Sequence, residues 1–172
     1  MNKNALMLCC FVIISLITLN SFAQSDSVTT KPKSVHWTPR YSLSMQKSPG
    51  LGVGIARLGM IDKGLDFGSW CLYSAVDAHL RTSSTNPRIF YSLKGGFETS
   101  WVITMWALEA ACYSDFEQSL FVVTPKAGLS LGGVFNLLYG YNISKKIEDF
   151  PGLGHHQISL VVNMNRKVLS GE

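Results

Sequence analysis

The sequence predicts an all-β fold: a closed antiparallel up-and-down β-barrel of about eight strands, preceded by a cleavable signal peptide. Three observations carry that expectation. The N-terminus has the three-part pattern of an export signal. The rest of the 172 residues divides into eight runs of alternating side-chain character, separated by turn residues. The polar faces of those runs are made of Asn, Ser, Gln and Gly more than of Lys, Asp and Glu. Charged residues make up only 15% of the chain, against about 25% in soluble domains.

The export signal comes first. Lys3 supplies a positive start, Ala5 to Leu19 is a 15-residue apolar run without charge, and Ser21 and Ala23 place small residues at −3 and −1 before Gln24. The apolar run is shorter than the roughly 20 residues a spanning helix needs. Residues 1–23 are therefore read as a signal peptide, cleaved between Ala23 and Gln24. Residues 24–35 hold a polar stretch (QSDSVTTKPKS) without aromatics and form a flexible lead-in. The barrel domain occupies 36–172. Loss of Lys3 takes the formal charge from +4 to +3, too mild a balance to argue for nucleic acid. Cys9 and Cys10 leave with the signal. Cys71 and Cys112 stay, and strand parity puts them on opposite faces, so two free thiols are expected rather than a disulfide.

Eight runs follow, at about 36–46, 50–61, 65–81, 87–98, 100–113, 118–131, 133–144 and 155–168. Side chains alternate across a strand, so parity sorts each run into two faces. In the first, Trp37, Tyr41, Leu43 and Met45 oppose His36, Arg40, Ser42, Ser44 and Gln46. The second alternates glycine with apolar residues, which suggests tight curvature or close packing in the wall. In the third, Cys71, Tyr73, Asp77, His79 and Arg81 oppose Trp70, Leu72, Val76 and Leu80. In the fourth, Ile89, Tyr91, Leu93 and Phe97 oppose Arg88, Ser92, Lys94 and Glu98, with Phe90 as an exception. The fifth is apolar on both sides. Glu109 marks one face, with Trp101, Ile103 and Met105, and Val102, Trp106, Leu108 and Cys112 mark the other. In the sixth, Pro125 removes a ladder donor and predicts a bulge or local break. The seventh and eighth are the cleanest. Phe135, Leu137, Tyr139, Tyr141 and Ile143 oppose Asn136, Gly140 and Asn142, with Leu138 on the polar side. Ile158, Leu160, Val162 and Met164 oppose Gln157, Ser159, Val161, Asn163 and Asn165.

Runs of ten or more residues match the roughly 9–11 that a tilted strand needs to cross a bilayer, and exceed the five or six usual in soluble sheets. Eight strands bring both termini to one end. The turns expected there are Asp62-Lys63-Gly64, Thr99-Ser100 and Gly132-Gly133. The opposite end carries residues 47–49, 82–86, 114–117 and 145–154. Short turns at one end and longer loops at the other are the usual asymmetry of outer-membrane barrels. Trp37, Trp101, Tyr113, Phe116 and Tyr141, near strand ends, are candidates for interfacial girdles.

Residues 94–144 carry a more specific pattern. Lys94-Gly95-Gly96-Phe97-Glu98 and Trp101-Val102-Ile103 are followed by Tyr113-Ser114-Asp115-Phe116. Thr124-Pro125-Lys126-Ala127-Gly128 and Phe135-Asn136-Leu137-Leu138-Tyr139-Gly140-Tyr141-Asn142 complete it. Over about 50 residues the chain resembles the small exported outer-membrane β-barrel proteins of the Bacteroidetes type. The resemblance implies an outer-membrane barrel and no defined activity. Many such barrels end in an aromatic residue, whereas this chain ends Leu169-Ser170-Gly171-Glu172.

Catalytic signals are weak. His155 and Ser159 share a parity but lie roughly 13 Å apart along a strand at ~3.3 Å per residue, and His156 and Ser159 point to opposite faces. His155 and His156 lack a third ligand at metal spacing. No catalytic residue, metal or cofactor is expected. The lumen charges carry more information. An eight-stranded barrel is just wide enough for side chains to fill it, and charges inside it must pair. The expected polar network of the lumen is Asp77, Arg81, Arg88, Lys94, Glu98, Glu109, Lys126, Asn136 and Asn142. The function expected is that of a non-enzymatic outer-membrane barrel, structural or surface-interacting through its loops at 82–86 and 145–154. Its expected partners are outer-membrane lipid and the barrel-assembly machinery, without nucleic acid, and it is expected to be a monomer. Two rivals are a soluble periplasmic barrel binding a small apolar ligand and an outer-membrane lipid-modifying hydrolase.

Overall fold

A computed structural model of the chain describes residues 34–63, 66–81, 88–150 and 152–164. The signal peptide, its cleavage point at Ala23 and Gln24, most of the lead-in, the loop at 82–86 and the C-terminal residues from Asn165 lie outside the described residues.

Eight antiparallel strands close into a barrel in chain order. They are β1 (Ser34–Met45), β2 (Pro49–Lys63), β3 (Asp66–Arg81), β4 (Arg88–Trp101), β5 (Thr104–Ser114), β6 (Ser119–Leu131), β7 (Phe135–Tyr141) and β8 (His156–Asn163). Each pairs with the next, and β8 returns to β1 between Arg40↔Asn163 and Met45↔Ile158. Closure leaves no sheet edge, so every strand finds ladder partners on both sides.

The registers fix the stagger of the wall. Stepping from partner to partner, Ser34 leads to Met60, Ser69, Ser100, Met105, Gly128, Leu138 and Ser159. The circuit arrives back on β1 at Ser44. The offset is therefore 44 − 34, or ten residues. With eight strands, such a stagger tilts them by roughly 40° to the axis. Ser69, Ser100, Met105, Leu138, Ser159 and Ser44 are all buried on the inward parity, so a single row of the lumen climbs as a spiral. Residues close together in the lumen are therefore offset along their strands.

The hairpin after β4 corrects one expected turn. Thr99 and Ser100 lie inside β4, and Trp101 pairs with Thr104 across a two-residue turn at Val102 and Ile103. Ser100 is turned inward to a 2.6 Å hydrogen bond with Ser69, and that contact holds the strand straight past the expected turn. Val102 takes φ 56°, a left-handed conformation that costs a β-branched residue about 1–2 kcal/mol. Trp101 thus belongs to β4 and faces outward, not to the face of Glu109. Tyr113 is a second correction. It is fully buried in the lumen instead of joining an outer girdle.

Burial alternates along the strands, and its sense is inverted relative to a soluble domain. Trp37, Leu51, Ile55, Trp106, Leu129 and Leu137 are exposed, while Arg40, Asp77, Lys94, Glu98, Glu109 and Lys126 are buried. All four tryptophans lie on outward parity in β1, β3, β4 and β5, toward the end with short turns. Pro125 breaks the ladder as its sequence predicts. The β6–β7 pairing runs from Leu131↔Phe135 to Lys126↔Gly140, and beyond Pro125 a single bridge at Val123↔Ile143 remains. Val123 and Ile143 exchange both backbone hydrogen bonds, at 3.1 and 2.8 Å. Such reciprocal pairs recur every second residue, so the Tyr141 carbonyl faces the proline nitrogen, which has no hydrogen to donate.

Candidate functional site

The lumen holds one connected charge network. Arg40 of β1 reaches across to Glu98 of β4, donating from Nη1 at 2.9 Å to Oε2 and from Nη2 to Oε1. Its guanidinium also donates to Asn163 Oδ1 at 3.2 Å and lies 3.8 Å from the centre of the Tyr73 ring. Tyr73 donates to Glu109 Oε2 at 2.6 Å, and Lys126 donates to the same oxygen at 2.8 Å. Lys94 lies between Glu109 Oε1, at 3.9 Å, and Asp77, which it contacts directly. Ser42 donates to the other Asp77 oxygen at 3.4 Å.

Three cations (Arg40, Lys94, Lys126) thus meet three carboxylates (Asp77, Glu98, Glu109), and all six are buried. The balance follows from cost. An unpaired ion in this interior loses several kcal/mol of solvation, and pairing offsets that loss only when geometry and hydrogen bonds are good.

The small residues of the wall make room for these groups. A Cβ on Gly52 would strike the Asp77 carboxylate and Ser42, and one on Gly50 would strike the His79 ring. Gly50 and Gly52 of β2 therefore serve close packing inside the lumen. His79 stacks on Phe90, with 4.8 Å between ring centres, and lies 3.2 Å from Ser92 Oγ.

The mouth at the end opposite the short turns is filled by chain. Residues 142–150 and 152–155 lie over it, and Ile147, Phe150 and Leu153 pack with Phe90, Tyr113, Leu120 and Val122. This accounts for Phe90 as the parity exception: it faces inward into the plug. Asn142 holds both ends of the loop. It accepts from Thr124 Oγ1 at 2.7 Å and donates to the Gly154 carbonyl at 2.7 Å and to Gln46 Oε1 at 2.9 Å. Lys145, Lys146, Glu148 and Asp149 remain exposed on the loop's outer side.

Asp77, Lys94, Glu98, Glu109 and Lys126 come together as one network. Asn136 is buried nearer the short-turn end, accepting from Ser130 at 2.7 Å, and Asn142 belongs to the loop clasp. Two arginines are corrected. Arg88 has the inward parity but sits at the strand end, 57% exposed, and pairs with Glu117 at 3.3 Å outside the lumen. Arg81 is half-buried and opposes Arg88 across the ladder at the same rim. Sequence reasoning missed Arg40, Tyr73 and Asn163. Arg40 is on the polar face of its run, but nothing local shows that it reaches β4.

Among the described residues His155 and His156 stand apart from Ser159. Ser159 is buried and accepts from Gln157 at 2.9 Å. His156 is exposed on the outer wall, 2.6 Å from the Tyr139 hydroxyl. His155 stacks on Tyr141 at the rim. Among the described residues no group of three or more His, Cys, Asp or Glu is placed to hold a metal ion. Cys71 and Cys112 are both free, the first inward and buried, the second half-buried on the outer face.

No family model, curated protein or solved structure matches the chain.

Proposed function

We propose that the chain is a non-enzymatic outer-membrane β-barrel protein that presents its closed outer loop surface to the exterior. One observation carries the reading: the wall is apolar outside and charged inside. A soluble barrel binding an apolar ligand needs the reverse, an apolar cavity within and a polar coat in water. Here Leu51, Leu137 and Leu160 are exposed, and the interior is occupied by ion pairs. Lipid tails satisfy such an outer face, and antiparallel closure pairs the strand backbones around the barrel except at the Pro125 break. The resemblance of residues 94–144 to exported Bacteroidetes-type barrels points to the outer membrane as the compartment. A filled lumen and a plugged mouth support a structural or surface-contact role, with outer-membrane lipid and the assembly machinery as partners.

Fractionation of cells expressing the full chain tests this. The protein is expected in the outer-membrane fraction, released only by detergent, with faster gel migration unheated than boiled. Recovery as a detergent-free periplasmic protein would overturn the reading.

A further inference from the structure

The outward face is apolar along all eight strands with one cationic interruption. Among strand residues whose side chains are described, Arg57 is the only Lys or Arg turned to the outside between the rims. Its neighbours in sequence, Ala56 and Leu58, are fully buried in the lumen, so parity directs Arg57 outward. Its cross-strand partners are Trp37 on β1 and Leu72 on β3. The indole of Trp70 lies over nearby Gly59. Arg57 therefore stands at the level of a tryptophan belt, where an aromatic surface meets polar headgroups. Among the described residues no carboxylate forms an ion pair with it.

A second feature lies along the same strand. Beyond Arg57, the outward residues of β2 are Ile55, Val53 and Leu51. Val53 and Leu51 floor an apolar trough of about 550 Å³, walled by Tyr41 and Leu43 on one side and Val76 and Ala78 on the other. From Arg57 to Leu51 the strand runs about 20 Å at ~3.3 Å per residue.

We infer that this strip binds one phospholipid, its phosphate on Arg57 and one acyl chain in the trough over Val53 and Leu51. The inference rests on the membrane reading above. Charge complementarity selects the occupant. A guanidinium forks onto two phosphate oxygens, and the belt places it where the phosphates of a leaflet lie. A neutral apolar ligand fills the trough but leaves Arg57 without an anion.

Native mass spectrometry of the full chain, extracted from membranes in mild detergent and titrated with phosphatidylglycerol, tests it. One retained lipid is expected. Arg57→Gln is expected to lower its retention about tenfold, the loss of one charge-assisted contact, and Arg57→Lys to keep part of it. Val53→Trp, which fills the trough, is expected to lower retention of phosphatidylglycerol and of diacylglycerol alike. Diacylglycerol retained by the unsubstituted chain as well as phosphatidylglycerol, or unchanged retention in Arg57→Gln, would overturn the inference. So would displacement of the lipid by millimolar inorganic phosphate alone, which would make the site a simple anion site. Heat-modifiable migration of each variant shows that the barrel has closed. Recovery of the unsubstituted chain without detergent overturns the membrane reading, whereas closed, membrane-extracted barrels with equal lipid retention overturn this inference alone.

Discussion

Arg40 on β1 and Glu98 on β4 join opposite walls of the barrel through two N–H···O hydrogen bonds, across 58 positions of sequence. The pair is buried at both ends. Removing one partner leaves the other as an uncompensated ion, which costs about 3–5 kcal/mol, whereas replacing both with apolar groups is often close to neutral. Glu98→Ala is expected to destabilise the refolded barrel by about that amount, and Arg40→Met with Glu98→Leu to recover most of it. Urea unfolding in detergent, followed by tryptophan fluorescence, reads both. Equal losses in the single and double variants would show that charge compensation is not what the pair supplies.

Pro125 leaves the Tyr141 carbonyl without its ladder donor. Pro125→Thr supplies an N–H at that position and a β-branched side chain suited to a strand. The expected gain is about 0.5–1.5 kcal/mol, the net worth of one hydrogen bond. Hydrogen exchange adds a second readout: the amide introduced by the substitution should be protected as strongly as that of Val123. A fast-exchanging amide would mean that the strands stay apart there for another reason.

Phe150 touches Phe90 edge-on, with 5.5 Å between ring centres, and Asn142 ties the loop to Gly154. The plug is thus held by an apolar anchor and a polar clasp. Lys145 and Lys146, exposed on that loop, offer trypsin a site only if the loop opens. The unsubstituted loop is expected to resist cleavage. Phe150→Ala, which costs about 3–5 kcal/mol in a packed site, is expected to expose it, and Asn142→Ala to do so less. Rapid cleavage at Lys145 or Lys146 in the unsubstituted protein would show that the mouth is not closed in solution.

Strand number, faces and ladder break are legible in the sequence because each depends on neighbours along one strand. Period-two alternation sorts Ile158 from Gln157 with no knowledge of partners. Height in the lumen is different, since it depends on the ten-residue stagger that only the closed ladder defines. Arg88 and Lys94 share a parity, yet one stands at the rim and the other in the network. Arg40 has a legible face, but its partner on β4 follows from closure. Tyr113 escapes the sequence reading for a related reason: its surroundings are set by Ile147, Phe150 and Leu153 of a distant loop, not by its own strand. The charge network is thus half legible, its members by parity and its pairings by topology.

Glycine positions separate packing from conformation, and two of them give opposite expectations. A Cβ on Gly128 would run into the backbone of Leu137 and Leu138, which no rotamer change relieves, because the contact is with the neighbouring strand itself. Gly132, in the turn, has φ 61° and open space around it. Gly132→Ala should therefore cost only the left-handed conformation, about 1 kcal/mol, and Gly132→Asn less. Gly128→Ala should cost several times more, because β6 and β7 must move apart beside the gap that Pro125 already makes. Refolding yield measured by heat-modifiable migration, with urea midpoints for the folded fraction, compares the three variants. A smaller loss for Gly128→Ala than for Gly132→Ala would refute the close approach of β6 and β7 and would place the tight point of the wall elsewhere.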